Sequence, residues 1–359
     1  MERIRIKDIA KLAGVSPGTV DRVIHNRGNV SEGAKQKVLG VMEKMGYEPN
    51  LLASTLALNR AIRLAIFLPD PALDIYWRQP LQGVEKAIRQ ITHYGVVPEF
   101  YFFDSNSEQD FLRKGQAVIQ SNPNGVLLAP LIFKQGKVFI DRCIANKIPI
   151  ININTEINAK GVLAYIGQDS FQSGILAARL ISFNLIGTGH VLVLNMDNKL
   201  QDAKHLQEKE KGFRSYFNLN HSDQIHIYKL DIEDFNNQGY IIEKINSLPI
   251  PPKELSGIFV TNSRIYKLME CAGEIFGPKI TTVGFDLIQP NIDYLNKDKI
   301  SFLINQNSVQ QGYLGIMGLT RHLLQKRKLE YLQNLPLDIV VKENINYYLK
   351  RAHELEILI

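Results

Sequence analysis

Apolar residues at Ile6, Ile9, Ala10 and Ala13 recur at helical spacing, so the first predicted element is a short helix with one buried face. Gly14 then supplies the backbone freedom that a tight turn between helices needs. A second helix is predicted from Ser16, whose hydroxyl can cap free amides, with Pro17 at the first helical position, where a missing N–H costs nothing. Val20, Val23 and Ile24 continue its apolar stripe. A third helix, capped by Ser31, turns Val38, Val41, Met42 and Met45 inward and stops at Gly46. Three short helices with a glycine-centred first turn make the pattern of a helix-turn-helix.

From Ile62 the pattern changes to short, mostly apolar runs separated by helical stretches. Residues 62–68, 97–103, 125–129, 149–153 and 164–166 read as buried parallel strands, and a second series follows at 191–195, 225–230, 257–260, 281–285 and 300–304. The predicted class is therefore an N-terminal all-α helix-turn-helix headpiece followed by an α/β body of two lobes, each a doubly wound parallel sheet. Ligand contacts are expected in the cleft, at the carboxyl ends of the strands. The expected divisions are 1–48 for the headpiece, 49–61 for a hinge, and 62–359 for the body, with lobe 1 at about 62–167 and 307–335 and lobe 2 at about 168–306 and 336–359. The tail, YYLKRAHELEILI, carries no heptads and is expected as a helix or strand packed on a lobe.

Charge sharpens this picture. The chain of 359 residues has a net charge of +6. Residues 1–60 hold ten Lys/Arg against six Asp/Glu, so a small basic module precedes a nearly neutral body, which points the module toward a polyanion. The two cysteines, Cys143 and Cys271, fit neither a disulfide framework nor a metal site. MERIRIKDIA has no signal-peptide character and no apolar run reaches membrane-spanning length, so a cytoplasmic location is expected. GTGH at 187–190 precedes a strand and lacks a third glycine, so it is no nucleotide fingerprint. There is no H-E-x-x-H, no phosphate loop and no nucleophile with an assigned base; no enzyme activity, metal or cofactor is expected.

The string IKDIAKLAGVSPGTVDRVIHNRGNVS, followed by YEPNLLASTLA, closely resembles the headpiece and hinge of the lactose-repressor (LacI/GalR) family of bacterial transcription regulators, over residues 4–58. The resemblance implies that the second helix enters the major groove with Pro17, Gly18, Asp21 and Arg22 toward the bases. Pro17 and Gly18 have no side-chain hydrogen-bonding group, so direct readout falls mainly on Arg22, whose fork fits guanine O6 and N7. Asp21 departs from the small hydroxyl residue common there in the family; acceptance from a cytosine amino group and pairing with Arg22 or Lys11 are both open. Ser16, Thr19, His25, Asn26, Arg27, Asn29 and Ser31 are implied phosphate anchors. Arg5 stands where a capping hydroxyl is usual, and a phosphate contact is the expected compensation. The hinge implies that Asn50, Ala53 and Leu56 meet DNA when two chains sit side by side, Leu56 wedging into a minor-groove step. Packing of Leu52 and Leu56 on each other or on the body is the alternative.

Residues 62–345 are similar to the sugar-binding proteins of bacterial transport and to the periplasmic-binding-protein-like effector domain of the same repressors. Matching segments imply a cleft built from Tyr76, Trp77, Asn154, Thr155, Lys209, Asn262, Asp286 and Gln306, whose aromatic faces, amides and acid suit a sugar. Asn154-Thr155 stands where sugar binders often show Asp-Arg, and Lys209 where Arg is common. A lysine without an acidic partner leaves room for an acidic sugar.

The expected function is a repressor-type transcription regulator: a homodimer binding double-stranded operator DNA, controlled by a small carbohydrate-like effector, with no membrane role. The alternative is a solute-binding protein without gene regulation, disfavoured by the headpiece.

Overall fold

In the computed structural model, residues 4–24, 28–45, 61–185, 187–197, 203–219, 224–325 and 328–350 are described. The headpiece is three helices, α1 (Ile6–Ala13), α2 (Pro17–Ile24) and α3 (Glu32–Met45), around Ile9, Ala10, Ala13, Val20 and Val38. Gly14 closes α1 in the left-handed region at φ 65°, and Ser16 caps α2 by accepting from the Thr19 amide at 3.1 Å. Ser-Pro therefore opens a helix, as its chemistry requires. At the start of α1 the Asp8 carboxylate reaches back to accept from the Arg5 amide at 2.8 Å, which is one half of a capping box.

The body is two six-stranded sheets. Lobe 1 uses β1 (Ile62–Pro69), β2 (Val96–Phe103), β3 (Gly125–Leu128), β4 (Ile150–Ile153), β5 (Ala164–Gly167) and β11 (Leu332–Asn334), in the order β11-β5-β4-β3-β1-β2, all parallel. Lobe 2 uses β6 (Gly189–Met196), β7 (Ile225–Ile232), β8 (Leu255–Val260), β9 (Thr281–Phe285), β10 (Phe302–Asn305) and β12 (Asp338–Val340), in the order β12-β10-β9-β8-β6-β7, with β12 antiparallel to β10. Every strand expected from the apolar runs is present; β11 and β12 are additional. An apolar core fills each face of each sheet, and Tyr348 and Leu349, at the start of the tail, pack on the lobe 2 core beside Ile345.

The chain passes between the lobes three times: after β5, after β10, and between β11 and β12. The first two crossings lead directly into helices, α7 (Ser170–Ser182) in lobe 2 and α12 (Ser308–Gln325) in lobe 1. Each packs closely on the first long helix of its lobe: α12 on α4 (Arg78–Ile91), and α7 on α8 (Lys204–Leu219). Glycines make the approach possible on both sides. A Cβ on Gly83 or Gly312 would overlap the Val309 or Pro80 carbonyl, and one on Gly174 or Gly212 would overlap the Lys209 or Phe171 carbonyl. Each cleft-wall helix is thus locked to the segment on which the lobes turn.

Candidate functional site

On the headpiece, α2 buries Val20 and leaves Ser16, Pro17, Gly18 and Arg22 exposed, with Thr19 and Asp21 half-buried. Arg5, Asn29 and Ser31 are also exposed, Asn29 in the left-handed region at φ 69° and Ser31 accepting from the Ala34 amide at 3.4 Å at the start of α3. The expected base-facing and phosphate-facing residues within the described part are therefore exposed, Thr19 and Asp21 partly so, while Val20 on the opposite face of α2 packs into the three-helix core. His25, Asn26, Arg27, Asn50, Ala53 and Leu56 lie outside the described residues.

The interlobe site is assembled at strand ends. Asn154 follows β4 and Asp286 follows β9, and both take positive φ, at 66° and 69°, a conformation that Asn and Asp tolerate better than most side chains. On lobe 1, Asn154 Nδ2 donates to the Tyr76 hydroxyl at 2.7 Å, and the Tyr165 hydroxyl donates to the Asn154 carbonyl at 3.2 Å. Thr155 is buried beside it, its hydroxyl donating to Asn154 Oδ1 at 3.3 Å. On lobe 2, Asp286 accepts from Gln306 Nε2 at 2.6 Å, and Lys209 on α8 donates to the Thr261 carbonyl at 3.0 Å and to Gln306 Oε1 at 3.3 Å. The Lys209 ammonium also rests 3.4 Å from the centre of the Phe285 ring. Gln168, on the first crossing, donates to Gln306 Oε1 and joins the two groups.

Burial pushes the Asp286 carboxyl up and the Lys209 ammonium down, and each partly holds the other in its charged form. The Lys209 ammonium thus lies in the field of Asp286, while its own hydrogen bonds go to two neutral oxygens. Burial, and after it the nearby Asp286, also raise the Tyr76 hydroxyl well above its ordinary range, so it stays a neutral hydrogen-bonding group.

Two further expected ligand residues are engaged within their lobes. Trp77 is 2% exposed, packed in the lobe 1 core, and meets Tyr76 edge-on at 5.1 Å. Asn262 uses its amide on the Met196 carbonyl at 2.7 Å and accepts from the Arg264 backbone at 3.1 Å, which fixes the loop that carries Arg264. Arg264 itself was not among the expected residues. It reaches across the cleft to Asp74 at 2.9 Å and within lobe 2 to Asp197 at 3.0 Å, with its guanidinium 4.3 Å from the Phe235 ring centre. His205, one turn before Lys209, has its Nδ1 buried with no hydrogen-bond partner among the described residues; burial, then Lys209, hold its pKa down to about 3. Ser105, Leu131 and Ile132 of lobe 1 face Asp197, Ala203, His205 and Arg264 of lobe 2 around a cavity of about 30 Å3.

A two-lobed body closing on a polar cleft, joined to a helix-turn-helix, defines a ligand-binding regulator of the periplasmic-binding-protein type. The description "Periplasmic binding protein domain" matches residues 64–327, and "Bacterial regulatory proteins, lacI family" matches residues 5–50. The chain belongs to the lacI family of bacterial regulatory proteins and is a DNA-binding transcriptional regulator. The ribose operon repressor of Lactococcus lactis subsp. lactis is 25% identical over 95% of this chain and 97% of its own length. Catabolite control protein A of Priestia megaterium is 25% identical over 59% of this chain; the match spans 60% of that relative. A crystal structure assigned as a LacI transcriptional regulator from Bacteroides fragilis superimposes with a TM-score of 0.74 at 25% identity, over 80% of this chain and 100% of that one. Among the described residues, no helix is long and apolar enough to cross a membrane.

Proposed function

We propose that the protein is a sequence-specific transcriptional repressor that binds operator DNA as a homodimer and releases or engages it according to a small carbohydrate-like effector held between its lobes. It works in the cytoplasm and catalyses no reaction. Residues 1–48 form the DNA-binding headpiece, 49–61 the hinge and 62–359 the effector body. The reading is carried by α2: its first turn offers Pro17 and Gly18, which have no side chain that would hold the helix off the base edges, and Arg22 stands exposed beyond them as the base reader. Ser16, Thr19, Asn29, Ser31 and Arg5 surround that face as phosphate contacts, which set register and not sequence.

Control follows from the crossings. The effector biases the DNA-competent state only through unequal affinity for two lobe arrangements, so it must touch both lobes. Tyr76 and Asn154 on one side and Lys209, Asp286 and Gln306 on the other meet that requirement, and Gln168 sits on the segment that turns between them. The test is selection of duplexes from a random pool by the full chain. Enrichment of an inverted repeat supports the proposal; a pool that stays unselected at low ionic strength refutes it.

A further inference from the structure

Gln79 lies half-buried in the first turn of α4 and is engaged at both ends of its amide. Its Nε2 donates to the Leu287 carbonyl of lobe 2 at 2.9 Å, and its Oε1 accepts from the hydroxyl of buried Ser308 at 2.6 Å. A carbonyl can only accept, so the nitrogen must face Leu287; the oxygen then faces Ser308, whose hydroxyl must be the donor. One side chain thus joins a cleft-wall helix of lobe 1, the loop that follows β9 in lobe 2, and the first residue of α12 after the second crossing.

Both ends of this interlobe bond are stiff. On the lobe 1 side, Gly83 packs on the Val309 carbonyl and Gly312 on the Pro80 carbonyl with no room for a Cβ, so Gln79 is fixed relative to Ser308. On the lobe 2 side, the Asp286 amide donates to the Ile304 carbonyl at 3.0 Å, and Asn291 Nδ2 donates to the Phe285 and Asp286 carbonyls at 2.8 and 3.2 Å. Asn291 Nδ2 also reaches the Ser263 carbonyl at 2.9 Å, next to Arg264, which crosses the cleft to Asp74. The two interlobe contacts are therefore braced together, on lobe 2 by Asn291 and on lobe 1 by the turn at Ile75–Trp77 that separates Asp74 from Gln79. A hydrogen bond between two such supports has little slack, so rotation of one lobe on the other breaks it.

We propose that Gln79 is a positioning residue of the switch: its amide latches α4 and the start of α12 to the lobe 2 backbone beside Asp286, and this latch sets the balance of closed and open lobes on which operator affinity depends. The proposal rests on the reading that lobe arrangement controls DNA binding. Being neutral, the latch keeps its strength at ionic strengths that weaken the pairing of Asp74 with Arg264.

The test is Gln79→Glu, because an ionised carboxylate still accepts from Ser308 but turns a second oxygen on the Leu287 carbonyl, whereas the protonated acid regains a donor and copies the amide. The substitution is made in the full chain, alone and on the Asp74→Asn background, with a cooperative melt showing that each variant folds. Small-angle X-ray scattering and affinity for the duplex selected by the parent are the readouts. At about pH 8 the expected result is a more extended particle than the matching background, with operator affinity changed about two- to tenfold, the range of one neutral hydrogen bond, and nonspecific affinity unaltered. At about pH 4.5, near the ordinary glutamate pKa and below the value that burial beside a carbonyl imposes, the scattering is expected to return to that of the background at the same pH. Gln79→Met, which has no proton to regain, is expected to stay extended at both values. Scattering equal to the background at both values overturns the latch and leaves control by lobe arrangement standing. Extension of Gln79→Glu that acid does not reverse also overturns it, as a packing effect. Reversible extension with operator affinity unaltered overturns the control of DNA binding by lobe arrangement, and the latch's part in it.

Discussion

Asp74→Asn isolates one of the contacts that hold the lobes together across the cleft, the only ion pair between lobes among the described residues. Asp74 does two jobs: Oδ1 accepts from the Tyr76 amide at 3.0 Å and caps the turn at Ile75–Trp77, while Oδ2 meets Arg264 at 2.9 Å. Asparagine keeps the capping oxygen and loses the charge, so the turn persists and the interlobe ion pair does not. The side chains are 15% and 20% exposed, which places the pair between a surface bridge and a buried one. A charge-assisted hydrogen bond contributes roughly 1.5–3 kcal/mol when sheltered; with water at the rim and Asp197 still holding the guanidinium, about 1–2 kcal/mol is the expected loss. That lowers the closed-to-open ratio by about 5–30-fold. Opening is read by small-angle X-ray scattering of the full chain. The variant is expected to scatter as a more extended particle. Scattering identical to the parent would refute the role given to Arg264.

Three further outcomes follow from packing and protonation. Trp77→Ala removes a core side chain, so an unfolding loss of about 3–5 kcal/mol is expected in a denaturant titration; a loss under 1 kcal/mol would place the ring at an open cleft wall instead. Gly212→Ala pushes α8 off the Phe171 carbonyl and carries His205 and Lys209 with it, at a cost of about 1–3 kcal/mol for overpacking, and weaker effector binding by calorimetry should accompany the lower melt. His205 is held neutral in the fold, so the unfolded chain binds the extra proton between its ordinary pKa near 6.5 and about 3. Stability should therefore fall as pH drops through that window, and His205→Gln should flatten this part of the profile; parallel profiles for the two proteins would show that His205 is not the group.

Local chemistry was readable because it depends on neighbours in sequence. Ser16 and Pro17 announce a helix start, and the apolar runs of β1 to β10 announce buried strands. β11 and β12 carry no such signal: they are three residues each, with Val340 alone fully buried, and are strands only because β5 and β10 offer an edge. The site was legible where a residue sits at a strand end, as Asn154 and Asp286 do. Arg264 and Gln168 escaped notice because their partners lie far along the chain; Asp74 is 190 positions from Arg264. Trp77 looked like Tyr76 in sequence, and only the turn capped by Asp74 decides which ring faces polar partners. The back-bond from Asp8 to Arg5 was readable in principle, since an acid three residues after a helix start is half of a capping box.

The central claim is that α2 reads duplex DNA through Arg22, and a competition gel shift on the selected duplex tests it most directly. Arg22→Ala is expected to lose discrimination, about 1–3 kcal/mol or roughly tenfold to a hundredfold in the ratio of specific to nonspecific affinity, while keeping salt-dependent nonspecific binding. An unaltered ratio in that variant would contradict the account.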